Sequence, residues 1–154
     1  MSLTILEGHT IQLWVPEGAP LTDNKTLQVQ AQLFPHNPVI IGRQQGNRVP
    51  YLDPSYTSTP ILPQTGGSIL NGCSSHVNNR VSRGHFMMRG SAQGITLTNG
   101  VPKKGGGIRP PINGTYLMAP ESRELAPAEE YLIEVGEGIL IRLPNGTVIC
   151  IVAE

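Results

Sequence analysis

Apolar and polar residues alternate in short bursts along the chain: TIQLWV at 10–15, TLQVQAQL at 26–33, ITLT at 95–98, YLIEV at 131–135, ILIRL at 139–143 and TVICIV at 147–152. A period of two over so few residues belongs to strands whose alternate side chains face a core. Two further runs, VIIG at 39–42 and HFMM at 85–88, are continuous rather than alternating and also read as strands. Between the last two strands, LPNGTV places Asn-Gly where a tight primed turn needs positive φ, which predicts a hairpin. EVGEGIL at 134–140 predicts a second turn of that kind. Only PESRELAPAEEY, at 120–131, has a helix-like composition, and its internal Pro127 and its shortness argue against a helix. Strands with one apolar face bury one another as two packed sheets, so the expected fold is an all-β sandwich.

Two stretches break this rhythm. Residues 44–80 are rich in Pro, Gly, Ser, Asn and Tyr, and residues 99–112 (NGVPKKGGGIRPPI) form a second Gly, Pro and basic segment. Long loops on a β scaffold commonly carry function. Lys103, Lys104 and Arg109 in the second loop read first as solvated charges and second as an anion-binding patch.

Composition narrows the classes. The 154 residues suit one domain with a single core, placed at about 10–152, which can equally be a module of a longer protein. Charged residues make up 14% of the chain, against the usual roughly 25% of soluble domains, while the 18 Gly and 14 Pro favour turns over long surface helices. Lys and Arg number 11, as do Asp and Glu, so the diffuse attraction that drives non-specific binding to nucleic acid or an anionic membrane is missing and neither is an expected partner. Cys73 and Cys150 form no metal or disulfide pattern, and a reduced, cytoplasmic setting is expected. Neither a signal peptide nor a membrane span is read. Three N-x-T sequons begin at Asn24, Asn113 and Asn145, and two of them read more simply as Asn-Gly turns.

VSRGHF at 81–86 is the most concentrated chemistry in the chain, with Ser82, Arg83 and His85 within four positions. A hydrolytic pair is disfavoured. Positions i and i+3 of a strand face opposite sides, no G-x-S-x-G elbow is present, and the only aspartates are Asp23 and Asp53. His9, His36, His76 and His85 are scattered without metal-ligand spacing, so no metal and no other cofactor is expected. The chain reads as a binding protein rather than an enzyme.

VIIGR (39–43), VSRGHF (81–86) and INGTYL (112–117), in that order and followed by ELAPAEEYLIEV and two more strands, resemble the forkhead-associated (FHA) domain family over residues 10–152. The resemblance implies a sandwich of about eleven strands in two sheets, with loops at one end binding phosphothreonine peptides in a kinase-dependent signalling or assembly pathway. On that resemblance Arg43 ion-pairs with the phosphate, Ser82 donates its hydroxyl, Arg83 supplies a second charge or touches the peptide, and Asn113 bonds the peptide backbone. Gly42, His85, Gly114 and Thr115 then support the site. The partner is a phosphorylated protein or peptide, or a phosphorylated neighbouring segment or domain. Several positions depart from the family pattern: the segment between Arg43 and Ser82 is long, Ile112 stands where a small polar residue is usual, and LMAP (117–120) and Ala128-Glu129 replace the later Asn-Gly and Gly-Asp. Asn99-Gly100 offers an alternative alignment that lacks the threonine. These departures keep a second reading open, an assembly module with the same fold that binds partners without phosphate.

Overall fold

Every regular element among the described residues is a strand. The computed structural model describes residues 9–15, 27–33, 38–42, 49–55, 80–144 and 148–153. Its strands are β1 (His9–Val15), β2 (Leu27–Leu33), β3 (Val39–Ile41), β4 (Phe86–Ser91), β5 (Gly94–Thr98), β6 (Val101–Pro102), β7 (Ile108–Arg109), β8 (Tyr116–Ala119), β9 (Arg123–Glu124), β10 (Glu130–Glu134), β11 (Gly138–Arg142) and β12 (Val148–Ala153). They form a six-stranded sheet ordered β2-β1-β12-β11-β8-β9, a four-stranded sheet ordered β10-β5-β4-β3, and the ribbon β6-β7. Each pairing is antiparallel. The all-β class is therefore as expected, and residues 120–131 hold β9 and a turn rather than a helix.

Alternation decides what each strand buries. Ile95 and Leu97 of β5, Ile133 of β10, Phe86 and Met88 of β4 and Ile41 of β3 point inward. They meet Leu117 of β8, Ile139 and Ile141 of β11, and Ile151 and Ala153 of β12 in one cluster, which Val81, Leu125 and Leu143 close. Register keeps like faces together, since Ile133 pairs with Ile95 and Ile139 with Ile151.

The continuous runs VII and FMM have a different cause. Ile40 and Met87, paired across β3 and β4, face away from that core into a second cluster with Val49, Leu52 and Val101. A strand covered on both faces loses its alternation. The cover is residues 49–55 laid along the ribbon: Leu52 bridges to Lys103, Asp53 N donates to Pro102 O at 3.0 Å, and Lys104 N donates to Tyr51 O at 2.9 Å. The 99–112 segment, expected to be an irregular loop, is thus partly a paired ribbon, because Val101 is buried against the sheet.

The two turn expectations part company. β11 and β12 do pair as consecutive antiparallel strands, while the Asn145-Gly146 turn itself lies outside the described residues. EVGEG makes a tight turn, Glu137 N donating to Glu134 O at 2.9 Å, but not a hairpin. β10 belongs with β5 and β11 with β8 and β12, so the turn carries the chain from one sheet to the other. Val135 N still bonds Gln93 O on the first sheet, while Gly136 N already bonds Ala153 O on the second.

A paired comparison tests this burial. Leu97→Ala should lower the free energy of unfolding in urea by about 2–5 kcal/mol, whereas Leu132→Ala, on the exposed face of the neighbouring strand, should stay within about 0.5 kcal/mol of the parent.

Candidate functional site

The turn at residues 80–85 is pinned at two points. Val81 and His85 are fully buried, and between them Ser82 is half-buried and Arg83 exposed. The backbone at Gly84 is held from outside: the Tyr51 hydroxyl accepts from Gly84 N at 2.8 Å and donates to Gly84 O at 3.0 Å. From the other side comes Gly42. A Cβ there would run into the Arg83 carbonyl and stand 2.9 Å from the Ser82 carbonyl oxygen, so only glycine allows this approach. Arg43 lies outside the described residues.

His85 joins this turn to the one at 111–114. Its Nε2–H donates to Gly114 O at 2.8 Å, and its Nδ1 accepts from Ser82 N at 3.2 Å. One partner can only accept and the other only donate, so the ring is the neutral Nε2–H tautomer. Burial pushes its pKa down to about 4 against the opposing pull of the Gly114 carbonyl. Two more bonds cross between the turns. Ile112 N donates to Ser82 Oγ at 3.2 Å, and Asn113 Nδ2 donates to Arg80 O at 2.8 Å. Gly114 has a φ of 76°, which suits glycine, and a Cβ there would strike the Glu124 carboxylate.

Behind the second turn lies a buried polar knot. Thr115 Oγ1 donates to Asn99 Oδ1 at 2.7 Å, and Asn99 Nδ2 donates to the carbonyls of Leu125 at 3.3 Å and Ala126 at 3.0 Å. Asn99, weighed above as an alternative loop asparagine, is therefore buried and saturated. On the adjoining surface Glu129 takes two bonds from Arg123 and one from Ala126 N, with Arg123 first among the causes that hold its carboxyl at about 2.

Ser82 and Arg83 line an open cleft of about 460 Å³ together with Pro50, Tyr51, Arg109 and Ile112. Asn113, Gly114 and Thr115 line a neighbouring one of about 570 Å³ that also takes in Arg80, Glu124 and Arg142. The 111–114 turn stands between them. Tyr51 was not among the sequence candidates, and Arg109 was weighed there only with Lys103 and Lys104, as solvated charges first and an anion-binding patch second. Arg109 is half-buried and lies over the Tyr51 ring at 3.7 Å from its centroid, unlike the exposed Lys103 and Lys104. Sequence offered only the basic tail of KKGGGIR as a signal, with nothing to say that a tyrosine 58 residues earlier would sit beneath it.

Among the described residues no group of three His, Cys, Asp or Glu side chains could hold a metal, and no helix is long and apolar enough to cross a membrane. Compared as a sequence, the chain matches no family profile and no curated protein. Compared as a structure, it is similar to a chain from a structural and functional study of phosphothreonine-dependent FHA domain interactions, with 21% identity, a TM-score of 0.43, and coverage of 94% of this chain and 97% of that one. It is also similar to an FHA structure from Rv0020c, with 21% identity, a TM-score of 0.45, and coverage of 95% and 94%.

The neutral, buried imidazole makes stability depend on pH. Its folded pKa of about 4 lies below the ordinary value of 6.5, so the unfolded chain binds the proton more readily between those two values. His85 therefore contributes its full share of stability above pH 6.5, and about 3 kcal/mol of it should be lost as the pH falls towards 4. Urea titrations at several pH values should show this drop in the parent and not in His85→Gln, and the ring resonances should titrate near pH 4. Thr115→Val should cost about 1–3 kcal/mol by leaving the buried Asn99 Oδ1 without a donor, measured by urea unfolding.

Proposed function

We propose that this chain is a phosphothreonine-dependent interaction module, serving a kinase-dependent signalling or assembly pathway, and that the turns at 80–85 and 111–115 form its grip. The supporting observation is the hydroxyl of Ser82. Its oxygen accepts from Ile112 N, which leaves its proton free to be donated, and Ser82 lines the same cleft as Arg83. A hydroxyl donor with a guanidinium next to it, carried on braced turns, suits a phosphate dianion.

In this reading Arg43 adds the main charge; its chain neighbour Gly42 is the residue packed on the Ser82–Arg83 backbone. Asn113 keeps its carbonyl oxygen and one N–H for a peptide backbone while the other N–H holds Arg80 O. Gly42, Gly114, Thr115 and His85 position these groups and do not touch the ligand. The chemistry is that of recognition: no bond in the ligand is broken.

Fluorescence anisotropy with a degenerate phosphothreonine peptide pool and its unphosphorylated counterpart tests the assignment. The phosphorylated pool should bind more tightly, and Arg43→Ala or Ser82→Ala should each weaken it roughly 10- to 100-fold, the loss of one charge-assisted hydrogen bond of about 1.5–3 kcal/mol. Equal binding of both pools would replace this reading with that of an assembly module indifferent to phosphate.

A further inference from the structure

Ser82 and Arg83 share their cleft with a guanidinium from a different part of the chain. Arg109 ends β7, and its guanidinium lies against the Tyr51 ring, 3.7 Å from the centroid. That ring is itself clamped, because its hydroxyl makes both bonds to Gly84. An arginine stacked on a fixed aromatic has less freedom to lose when a ligand binds. Stacking occupies the face of the guanidinium and leaves its N–H edge for an anion.

Among the described residues no carboxylate lines the cleft. The carboxylate of the 49–55 segment, Asp53, is engaged locally, accepting from Ser55 N at 2.9 Å and from Ser55 Oγ at 2.8 Å. Ion pairs among the described residues are those of Arg123, so Arg83 and Arg109 line one open cleft with no counter-ion among those residues. Two cations in this position disfavour each other and favour an anion between or beside them. In the proposed grip a phosphothreonine, carrying about −1.5 to −2 charges, is already met by Arg43, Ser82 and Arg83. Arg109 is surplus to that need.

We infer that Arg109 is a specificity-determining residue that reads an acidic side chain, Asp or Glu, close to the phosphothreonine in the bound peptide. The inference rests on the phosphopeptide-binding function proposed above. Tyr51 is the platform that positions Arg109, and the 49–55 segment contributes to selectivity through it.

The test is anisotropy with a set of phosphothreonine peptides in which one glutamate is walked through an otherwise neutral sequence flanking the phosphothreonine. Each peptide is paired with its unphosphorylated form. The parent protein should bind one or two of the glutamate positions roughly 3- to 10-fold more tightly than the all-neutral phosphopeptide. Arg109→Gln should bring the ratio of affinities for the glutamate and all-neutral phosphopeptides to about one, whatever it does to the affinity for the neutral phosphopeptide, and Arg109→Lys should restore part of the preference. Thermal melts of both variants identify a folding defect, and if Arg109→Gln is unfolded the Lys variant carries the comparison, with a reduced preference expected. A preference that survives substitution, or no preference in the parent while phosphate dependence persists, overturns the Arg109 assignment alone. Loss of phosphate dependence in the parent overturns the function itself and the inference with it.

Discussion

The imidazole of His85 joins two turns that no strand pairing connects. It takes the amide of Ser82 on one nitrogen and gives its proton to the carbonyl of Gly114 on the other. Each turn would otherwise leave a backbone group facing a buried ring with nothing to bond. The arrangement requires the neutral ring, and burial enforces that state. A charged imidazole would present an N–H to the Ser82 N–H and lose the bond that aims the serine. The histidine closest in sequence to Ser82 and Arg83 is thus tied to their turn through hydrogen-bond geometry.

Around this brace the four-stranded sheet does double duty. Its inner face completes the main core, and its outer face at Ile40 and Met87 is covered by Val49, Leu52 and Val101. That outer layer is small, yet it brings Tyr51 to Gly84 and the end of the ribbon over Tyr51. Packing of apolar residues on the back of a sheet is therefore what delivers a guanidinium to the mouth of the cleft. The contacts that stabilise the fold and those that shape the site are the same.

A chain with no net charge can still hold a strongly polarised surface. Arg123 is tied to Glu129 and Glu121, which keeps one group of charges paired close to the second turn. Arg83 and Arg109 line the cleft beside Ser82 with no such partner among the described residues, and local imbalance of this kind is what concentrates an anion at a particular place rather than over the whole surface.

Much of the fold was legible in the alternation of residues 95–98, 131–135 and 139–143, because a strand with one buried face writes its environment directly into a period of two. The pairing of the strands that flank LPNGTV was legible for a similar reason, Asn-Gly between two alternating runs being a local signal with a local cause. VSRGHF and INGTYL stood out as residue types, and it was the resemblance of their order to the FHA pattern that suggested a common site. What tertiary structure alone decided is everything that depends on a second segment. EVGEG could close a hairpin or cross between sheets, and the choice belongs to the partners of β10 and β11. Asn99 could have been a surface loop residue until Thr115 and two carbonyls closed around it. Tyr51 and Arg109 carry no mark of each other, since a stacking contact between residues far apart in the chain leaves no periodicity in either. Local pattern records which face of an element is buried; only the packed molecule records what it is buried against.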